Sequence, residues 1–420
     1  MGIQRPGSGR TGARLVLAAL ALALHGCDEP PAGEELGIGL LLSYSGHLAA
    51  NSVNSERALL MAIEAANAAG GVGGRRVQVL ARDTGTVPQL AGVAADELLA
   101  ADVALIIGPD NTDLTAHLRV PLLDRTVILP SLNTTSDVLW KPPTWFVMGP
   151  STARLACELM AQVRVGGGDK PVVFHNQDGQ NNFLSWELGL TYGLTKVVLP
   201  SDSNLSKETL KRILPHITER ESGAYILAAS PASASALVYA LATLDRLDPD
   251  RWYLAPTLHT PAFLESIPKG TFNGAQGVTS GGALGPGEFR VRFASVWQDV
   301  PLDDAYAFYD AGAIAVLALQ RAFTREGAIP TGTGLTSHIV ALTNTGGTRI
   351  LWNEIGRGLE LLRNGEEIEY AGLTGRIEFD EAGHPKHAST KWWRIGDKGL
   401  YDIEAALNDC AGKTNTTPPP

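Results

Sequence analysis

Short apolar runs alternate with longer amphipathic stretches along this chain. The first cycle contains an apolar run at 36–42, a helical pattern from about 54 to 68, and a second apolar run that ends at Asp83. One face of the helix carries apolar residues at helical spacing: Ala58, Leu59, Ala62, Ile63 and Ala66. The glycine-rich segment 70–74 ends the helix, because repeated glycine favours turn conformations. This order of elements predicts two parallel strands joined by a helix.

The same alternation continues to about residue 403 and predicts an α/β fold. The predicted strands are 36–42, 77–81, 103–107, 126–129 and 144–148, then 171–175, 195–199, 224–229, 251–255 and 275–280, and finally 376–379, 391–395 and 400–403. Helices are expected between them, including 207–220 and a late one at about 350–363. Two such series predict two Rossmann-like lobes with parallel central sheets. Ligands of such sheets bind at the carboxyl ends of the strands.

The N-terminal segment has the pattern of an export signal. Three arginines precede the apolar stretch Leu15–Leu24, which is too short to span a bilayer comfortably. The following Leu24-His25-Gly26-Cys27 resembles a bacterial lipobox, so we expect residues 1–27 to be a lipoprotein signal peptide with lipid on Cys27. The alternative is an ordinary secretory signal with a chance cysteine. A polar, proline-rich linker at 28–35 follows, and residues 406–420 are expected to be a disordered tail.

Composition excludes some classes of protein. The net charge of −10 argues against nucleic-acid binding, which needs a basic surface. A hydrophobic content of 44% is ordinary for a globular protein with a core. After Cys27 the remaining cysteines are Cys157 and Cys410, which could pair in an oxidising compartment or stay free; spacing alone leaves both open.

Several motifs, in order, resemble the type I periplasmic binding proteins, in particular the branched-chain amino-acid receptors of ABC transporters. They are a strand with a Ser-Tyr-Ser-Gly turn at 43–46, Asn-Ala-Ala-Gly-Gly at 67–71, Ile-Ile-Gly-Pro at 106–109, and Gly-Leu-Thr-Gly at 372–375 before Phe379-Asp380. The long helical pattern near residues 305–319 is also similar. The resemblance extends from about Leu36 to Ile403.

The resemblance implies a specific organisation. Lobe 1 would comprise 36–148 plus 279–371, and lobe 2 would comprise 149–278 plus 372–405, joined by a hinge of three strands. A small solute would bind in the cleft and close the lobes. The protein would be anchored by lipid to a membrane of the cell envelope, facing the periplasm, and would deliver its ligand to an ABC permease. No cofactor is implied.

The candidate ligand-binding residues lie where predicted strands end. In lobe 1 they are Ser45, Asn111, Thr112, Ser131, Asn133 and Thr134, and in or near lobe 2 they are Asn176, Asp178, Ser230 and Thr257, with Tyr306 from the long helix. Hydroxyls and backbone N–H groups at helix starts suit a carboxylate. The competing interpretations are helix capping or turn formation for the polar residues and core packing for Tyr306.

Lobe 2 departs from the pattern of the amino-acid receptors. Those receptors hold the ligand ammonium with aromatic residues and one acid, whereas here Asn176–Gly179, Ser230 and Thr257 stand at the corresponding places. A buried ammonium without a counter-charge is costly. We therefore expect a small carboxylate or amide ligand in preference to a free branched-chain amino acid, unless Asp178 supplies the acid.

Metal and enzyme signatures are missing from the sequence. Asn176-x-Asp178-Gly179 lacks the remaining ligands of a calcium loop, and His384 and His387 alone make a poor zinc site. No Walker A, dinucleotide-binding or Gly-x-Ser-x-Gly motif is present. The alternatives to a transport receptor are a ligand sensor of the same fold that acts in signalling and, last, an enzyme on a doubly wound fold.

Overall fold

The computed structural model describes most of the chain from Glu35 onward. The described residues are 35–46, 49–130, 143–177, 179–201, 205–218, 223–280, 287–330, 332–343, 346–380, 383, 385–388, 390–403 and 410. Across these ranges no helix combines the length and apolarity of a membrane span. The signal segment and lipidation site, nearly all of the linker, and the tail apart from Cys410 lie outside them.

Lobe 1 is built on a parallel sheet of five strands in the order β2-β1-β3-β4-β5. The strands are β1 (Leu36–Leu42), β2 (Val77–Asp83), β3 (Ile106–Ile107), β4 (Val127–Leu129) and β5 (Trp145–Val147). In the described residues the helices between these strands are α1 (Ala49–Ala68), α2 (Pro88–Ala100) and α3 (Thr112–Leu118). Strands β1, β3, β4 and β5 are almost wholly buried, as expected for a parallel sheet covered by helices, whereas the edge strand β2 is buried only at Val77.

Lobe 2 is built on a sheet of seven strands in the order β15-β14-β10-β9-β8-β6-β7. Its strands are β6 (Val172–His175), β7 (Lys196–Val198), β8 (Tyr225–Ala228), β9 (Trp252–Leu254), β10 (Gln276–Ser280), β14 (Thr390–Gly396) and β15 (Gly399–Ile403). Strands β6 to β10 are parallel and repeat the order of lobe 1, whereas β14 and β15 are antiparallel additions. All ten strands predicted for the two parallel series are present, although most are shorter than expected.

The helices of lobe 2 are α4 (Thr152–Val165), α5 (Gly179–Tyr192), α6 (Lys207–Ile213), α7 (Pro215–Thr218), α8 (Pro231–Thr243) and α9 (Pro261–Ser266). The single helix predicted over 207–220 is wrong, because the chain turns at Leu214 and restarts at Pro215. Proline has no N–H for the helical hydrogen bond and clashes with the preceding turn, so it starts a new helix instead.

The chain then returns to lobe 1 through α10 (Gly287–Trp297), α11 (Asp303–Glu326), α12 (Thr336–Thr343) and α13 (Ile355–Arg363). Helix α11 lies at the centre of the core of lobe 1, and α1, α12 and α13 pack against it. The chain passes between the two large sheets three times: from β5 to α4, from β10 to α10, and towards β14 near the C-terminal end. This confirms the predicted two-lobed architecture.

A small third sheet near the C-terminal end was missed. It consists of β11 (Thr348–Leu351), β12 (Ile368–Gly372) and β13 (Gly375–Arg376). The helix expected from about 350 therefore begins only at Ile355, after β11 and a 3-10 turn, and the strand expected at 376–379 is reduced to Gly375–Arg376 and a bridge at Phe379. These strands are two to five residues long and each contains one charged residue, so they lack a long apolar run. Pairing between distant segments defines them instead.

The Gly-Leu-Thr-Gly motif wraps around a buried acid. Asp310 of α11 is fully buried and accepts hydrogen bonds from the Tyr370 hydroxyl (2.8 Å), the N–H of Leu373 (2.8 Å), and the N–H and hydroxyl of Thr374 (2.8 and 2.7 Å). A Cβ at Gly372 would lie 2.4 Å from this carboxylate. Burial raises the pKa of Asp310 to about 6, although these hydrogen bonds act in the opposite direction.

Cys157 and Cys410 form a disulfide, with their Cα atoms 5.8 Å apart. The sequence left this pairing open. Cys157 lies on α4 of lobe 2, so the bond ties a residue close to the end of the chain to the first helix of that lobe. A disulfide of this kind is typical of an oxidising compartment.

Candidate functional site

Each lobe has one switch point, where strand connections diverge to the two sides of the sheet. It lies between β1 and β3 in lobe 1, and between β6 and β8 in lobe 2. Loops that follow neighbouring strands diverge there and leave a crevice, which is where ligands of open α/β sheets bind.

Asp110 organises the switch point of lobe 1. Its carboxylate accepts hydrogen bonds from the N–H (3.0 Å) and hydroxyl (2.8 Å) of Ser43 and from the hydroxyl of Ser52 (2.7 Å). Ser43 also lies 2.9 Å from the hydroxyl of Thr84. Asp110 thus joins the ends of β1 and β3 to the first turn of α1, and it holds the turn that carries Ser45.

Ser45 lies on the exposed side of the same turn. Its hydroxyl donates to Asp83 at 2.7 Å, and Gly85 N–H donates to the same carboxylate at 2.7 Å. Desolvation opposes ionisation of Asp83, but the hydrogen bonds from Gly85, Ser45 and Tyr44 outweigh it and lower the pKa of the carboxyl. The Ser45 hydroxyl is therefore engaged as a donor, and its oxygen remains able to accept a hydrogen bond.

Asn111 and Thr112 behave differently although they are neighbours. Asn111 caps α3 by accepting hydrogen bonds from the N–H groups of Asp113 (2.8 Å) and Leu114 (3.4 Å), as the capping alternative predicted. Thr112 is only 2% exposed, and its hydroxyl has no hydrogen-bond partner in the described part of the chain. A buried hydroxyl without a partner is unfavourable, so Thr112 is a stronger candidate for a ligand contact than Asn111.

In lobe 2, the buried side chain of Asn176 joins the strand ends at the switch point by hydrogen bonds. It is fully buried; its Oδ1 accepts from the N–H of Ser230 (2.6 Å), and its Nδ2 donates to the carbonyl of Pro200 (3.0 Å) and approaches the Ser233 hydroxyl (3.1 Å). Ser230 in turn caps α8 through Ser233 N–H. Both side chains therefore join strand ends together, and neither is included in the contact set proposed below.

Thr257 and Tyr306 are also engaged within the protein. The Thr257 hydroxyl lies 3.0 Å from both Asn181 Oδ1 and the carbonyl oxygen of Ala229. Tyr306 is 1% exposed in the core of lobe 1, with its ring 5.3 Å from that of Phe289. Core packing, the alternative that the sequence left open for Tyr306, is what the structure shows.

Other predicted residues lie outside the described ranges. They are Ser131, Asn133 and Thr134 in the segment 131–142, Asp178 before α5, and Cys27. Among the residues that are described, no group of three or more His, Cys, Asp or Glu side chains is arranged to hold a metal ion.

Two acidic side chains connect the lobes, and sequence reasoning missed both. Asp113 of lobe 1 accepts a hydrogen bond from the N–H of Gly179, the first residue of α5 in lobe 2, at 3.1 Å. Asp303, at the start of α11, accepts from the Thr279 hydroxyl of β10 (3.1 Å) and contacts His259. In the sequence both are ordinary acids of a first helical turn, and no local signal marks their partners.

Comparison with known proteins is consistent with this geometry. The family model described as "Periplasmic binding protein" matches residues 35–393. The chain is 26% identical over 374 residues to the chemotactic signal transduction system substrate-binding protein BasB of Halobacterium salinarum, with 84% of this chain and 86% of BasB covered.

Two solved structures share the fold. One is the branched-chain amino acid transporter substrate-binding protein LivJ of Streptococcus pneumoniae in complex with isoleucine: TM-score 0.68, 14% identity, 88% of this chain and 99% of LivJ covered. The other is an ABC transporter solute-binding protein from R. palustris in complex with benzoate: TM-score 0.66, 14% identity, 88% and 96% covered. The family match, the two sheets with the same strand order, and the three passages between them lead to one conclusion: this chain belongs to the periplasmic binding protein family and has its type I fold.

Proposed function

We propose that this protein is a solute-binding receptor of the periplasm that captures a small polar solute, such as an amino acid, a carboxylate or an amide, for an ABC transporter. The observation that carries this proposal is the junction of the lobes at Thr112, Asp113 and Gly179. There the buried hydroxyl of Thr112, which has no partner among the described residues, lies beside the start of α5 of the other lobe. The bound isoleucine and benzoate of the two structural neighbours support the class of solute.

The proposed lobe boundaries are 36–148 plus 279–371 for lobe 1 and 149–278 plus 372–405 for lobe 2. Strand β10 pairs with β9 and β14 in the sheet of lobe 2, and this pairing includes Thr279 and Ser280. The proposed return of the chain to lobe 1 therefore falls at the last two residues of β10. The proposed ligand contacts in the described part of the chain are Ser45 and Thr112. Ser131, Asn133, Thr134 and Asp178 stay candidates from the sequence. We propose no catalytic role for any of these residues.

The test of the proposed function is a thermal-shift screen with amino acids, small carboxylates and small amides. A solute that binds only the folded protein raises its free energy of unfolding by mass action, by ~2.7 kcal/mol at a concentration one hundred times Kd, and this raises the melting temperature. We expect a saturable increase with at least one solute. The response should be weaker in Thr112→Val, which removes the buried hydroxyl at nearly constant volume. A flat response across the whole panel would contradict the proposal.

We further propose that Cys27 carries lipid and anchors the protein to the cell envelope. The support is the short apolar stretch that ends in Leu24-His25-Gly26-Cys27. Metabolic labelling with a fatty-acid probe should mark the wild-type protein and leave Cys27→Ala unlabelled. Several acyl chains are enough for stable anchoring, so only the wild type should sediment with membranes. Equal labelling of the two proteins would rule out this site.

A second function is favoured by one observation, the similarity to BasB, whose name places it in a chemotactic signal transduction system. In that case the ligand-bound protein would contact a signalling receptor and not a permease. Cross-linking of the ligand-bound protein in membranes, followed by identification of the captured partner, separates the two. A permease supports transport, and a receptor with a cytoplasmic signalling domain supports sensing.

A further inference from the structure

Asp113 approaches the start of α5 across the junction of the lobes. Its Oδ2 accepts the hydrogen bond from Gly179 N–H at 3.1 Å. A Cβ at position 179 would lie 2.5 Å from Asp113 Oδ1 and 3.0 Å from the Cβ of Thr112. Glycine at 179 is therefore what allows both side chains of lobe 1 to approach lobe 2 this closely.

We propose that Asp113 accepts, from lobe 1, a hydrogen bond from an N–H-bearing group of the ligand. For an ammonium its carboxylate is also the counter-charge, and for an amide it is the acceptor. This rests on the solute-binding function proposed above. Asp113 would take the place of the acid that lobe 2 lacks at Thr257. An ammonium would then have a counter-charge, contrary to the expectation from the sequence. In the family pattern the acid belongs to lobe 2, whereas Asp113 reaches the junction from lobe 1.

The Asp113 carboxylate can accept further hydrogen bonds besides those of helix capping. An acid in the first turn of α3 is favoured by the helix dipole, and Asp113 also caps α5 across the junction. A carboxylate offers about four lone-pair sites, and the Gly179 N–H occupies one of them. Asp113 is exposed, so its remaining capacity is accessible to a solute that enters between the lobes.

A second observation points to a ligand at the same place. The Thr112 hydroxyl is buried without a partner in the described part of the chain, and so is Nε2 of Gln180, the second residue of α5. Both atoms can donate a hydrogen bond to an oxygen. Thr112 precedes Asp113 and Gln180 follows Gly179, so these two donors belong to the residues next to the contact between the lobes.

This combination selects a chemical class. A group that carries an oxygen acceptor beside an N–H donor, as in an α-amino acid or a primary carboxamide, satisfies Thr112, Gln180 and Asp113 together. A simple carboxylate satisfies the donors but places a second negative charge beside Asp113, which disfavours it. Asp113 is thus proposed as a specificity-determining residue.

The experiment uses matched pairs of ligands that differ in the N–H-bearing group: L-leucine and 4-methylpentanoate, L-phenylalanine and 3-phenylpropanoate, and benzamide and benzoate. Isothermal titration gives the affinity ratio within each pair for the wild type, for Asp113→Asn and for Asp96→Asn. Asp96 is an exposed acid on α2 of the same lobe, so its substitution removes an equal charge away from the junction.

We expect the wild type to prefer the N–H-bearing member of at least one pair by roughly tenfold or more, as a charge-assisted hydrogen bond implies. The preference should fall to about threefold or less in Asp113→Asn and persist in Asp96→Asn. An unchanged preference in Asp113→Asn overturns the inference, as does a wild type that prefers the simple carboxylates. A wild type that binds none of the six compounds also overturns it, and the broad solute screen then decides separately whether the protein binds solutes at all.

Discussion

Replacing Asp310 with alanine is expected to lower the free energy of unfolding by roughly 3–5 kcal/mol. The substitution leaves four donors, from Tyr370, Leu373 and Thr374, without their acceptor in the core, and an unsatisfied buried donor costs about 1–3 kcal/mol. These costs overlap, because the turn can relax and water can enter. Urea or guanidinium unfolding followed by fluorescence measures the change.

Two matched variants test the cause. Tyr370→Phe removes one of the four hydrogen bonds and should cost about 1 kcal/mol. Asp96→Ala removes an exposed acid and should change stability by less than about 0.5 kcal/mol. A loss in Asp310→Ala no larger than in Tyr370→Phe would show that the carboxylate does not hold the Gly-Leu-Thr-Gly turn.

The same carboxyl predicts a pH dependence. Its pKa is about 6 in the folded protein because of burial, above the value of about 3.9 for an aspartate in an unfolded chain. Between these values the folded state binds more protons, so the stability that this group contributes is present below about pH 4 and is lost as the pH rises through 6. The difference in unfolding free energy between wild type and Asp310→Asn should therefore decrease over this range. A difference independent of pH would contradict the raised pKa.

Reduction of the Cys157–Cys410 disulfide is expected to destabilise the protein by about 2–5 kcal/mol. The bond joins residues 253 positions apart, so in the unfolded chain it closes a very long loop. Closing such a loop lowers the entropy of the unfolded state, although strain and residual structure reduce the gain. The measurement is the melting temperature with and without a reducing agent.

The control is the double variant Cys157→Ser with Cys410→Ser. It should melt at the temperature of the reduced wild type and should not respond to the reducing agent. Peptide mapping under non-reducing conditions should show the two cysteine peptides linked. Free thiols at both positions in protein purified from the periplasm would contradict the pairing.

The polar residues of the predicted site show the limit of local reasoning. Apart from Tyr306 on the long helix, each follows a predicted strand, and each described candidate does lie at or near a strand end or a helix start. The sequence does not say whether such a side chain faces a ligand or another strand end. Asn176 meets Ser230 and Pro200, whereas Thr112 meets no partner in the described residues. Those partners come from other strand ends, up to 54 positions away in the case of Ser230.

The alternation of apolar and polar residues by itself determined the two parallel series of strands and the long central helix, whereas the order of the lobes followed from the family resemblance. It could do so because the spacing of apolar residues within one segment shows which face of a strand or helix is buried. The hydrophobic effect depends on the apolar area removed from water and not on a particular partner. The family motifs at 67–71, 106–109 and 372–375 are local for the same reason, since each is a turn.

Only the tertiary structure decided which groups meet across long separations in sequence. The disulfide joins cysteines 253 positions apart. The hydrogen bond from Tyr370 to Asp310 joins residues about 60 positions apart, and the one from Gly179 to Asp113 joins residues 66 positions apart. Hydrogen bonds and disulfides act within a few ångströms and require one specific partner. That partner is set by the packing of whole lobes, which no local pattern of the sequence records.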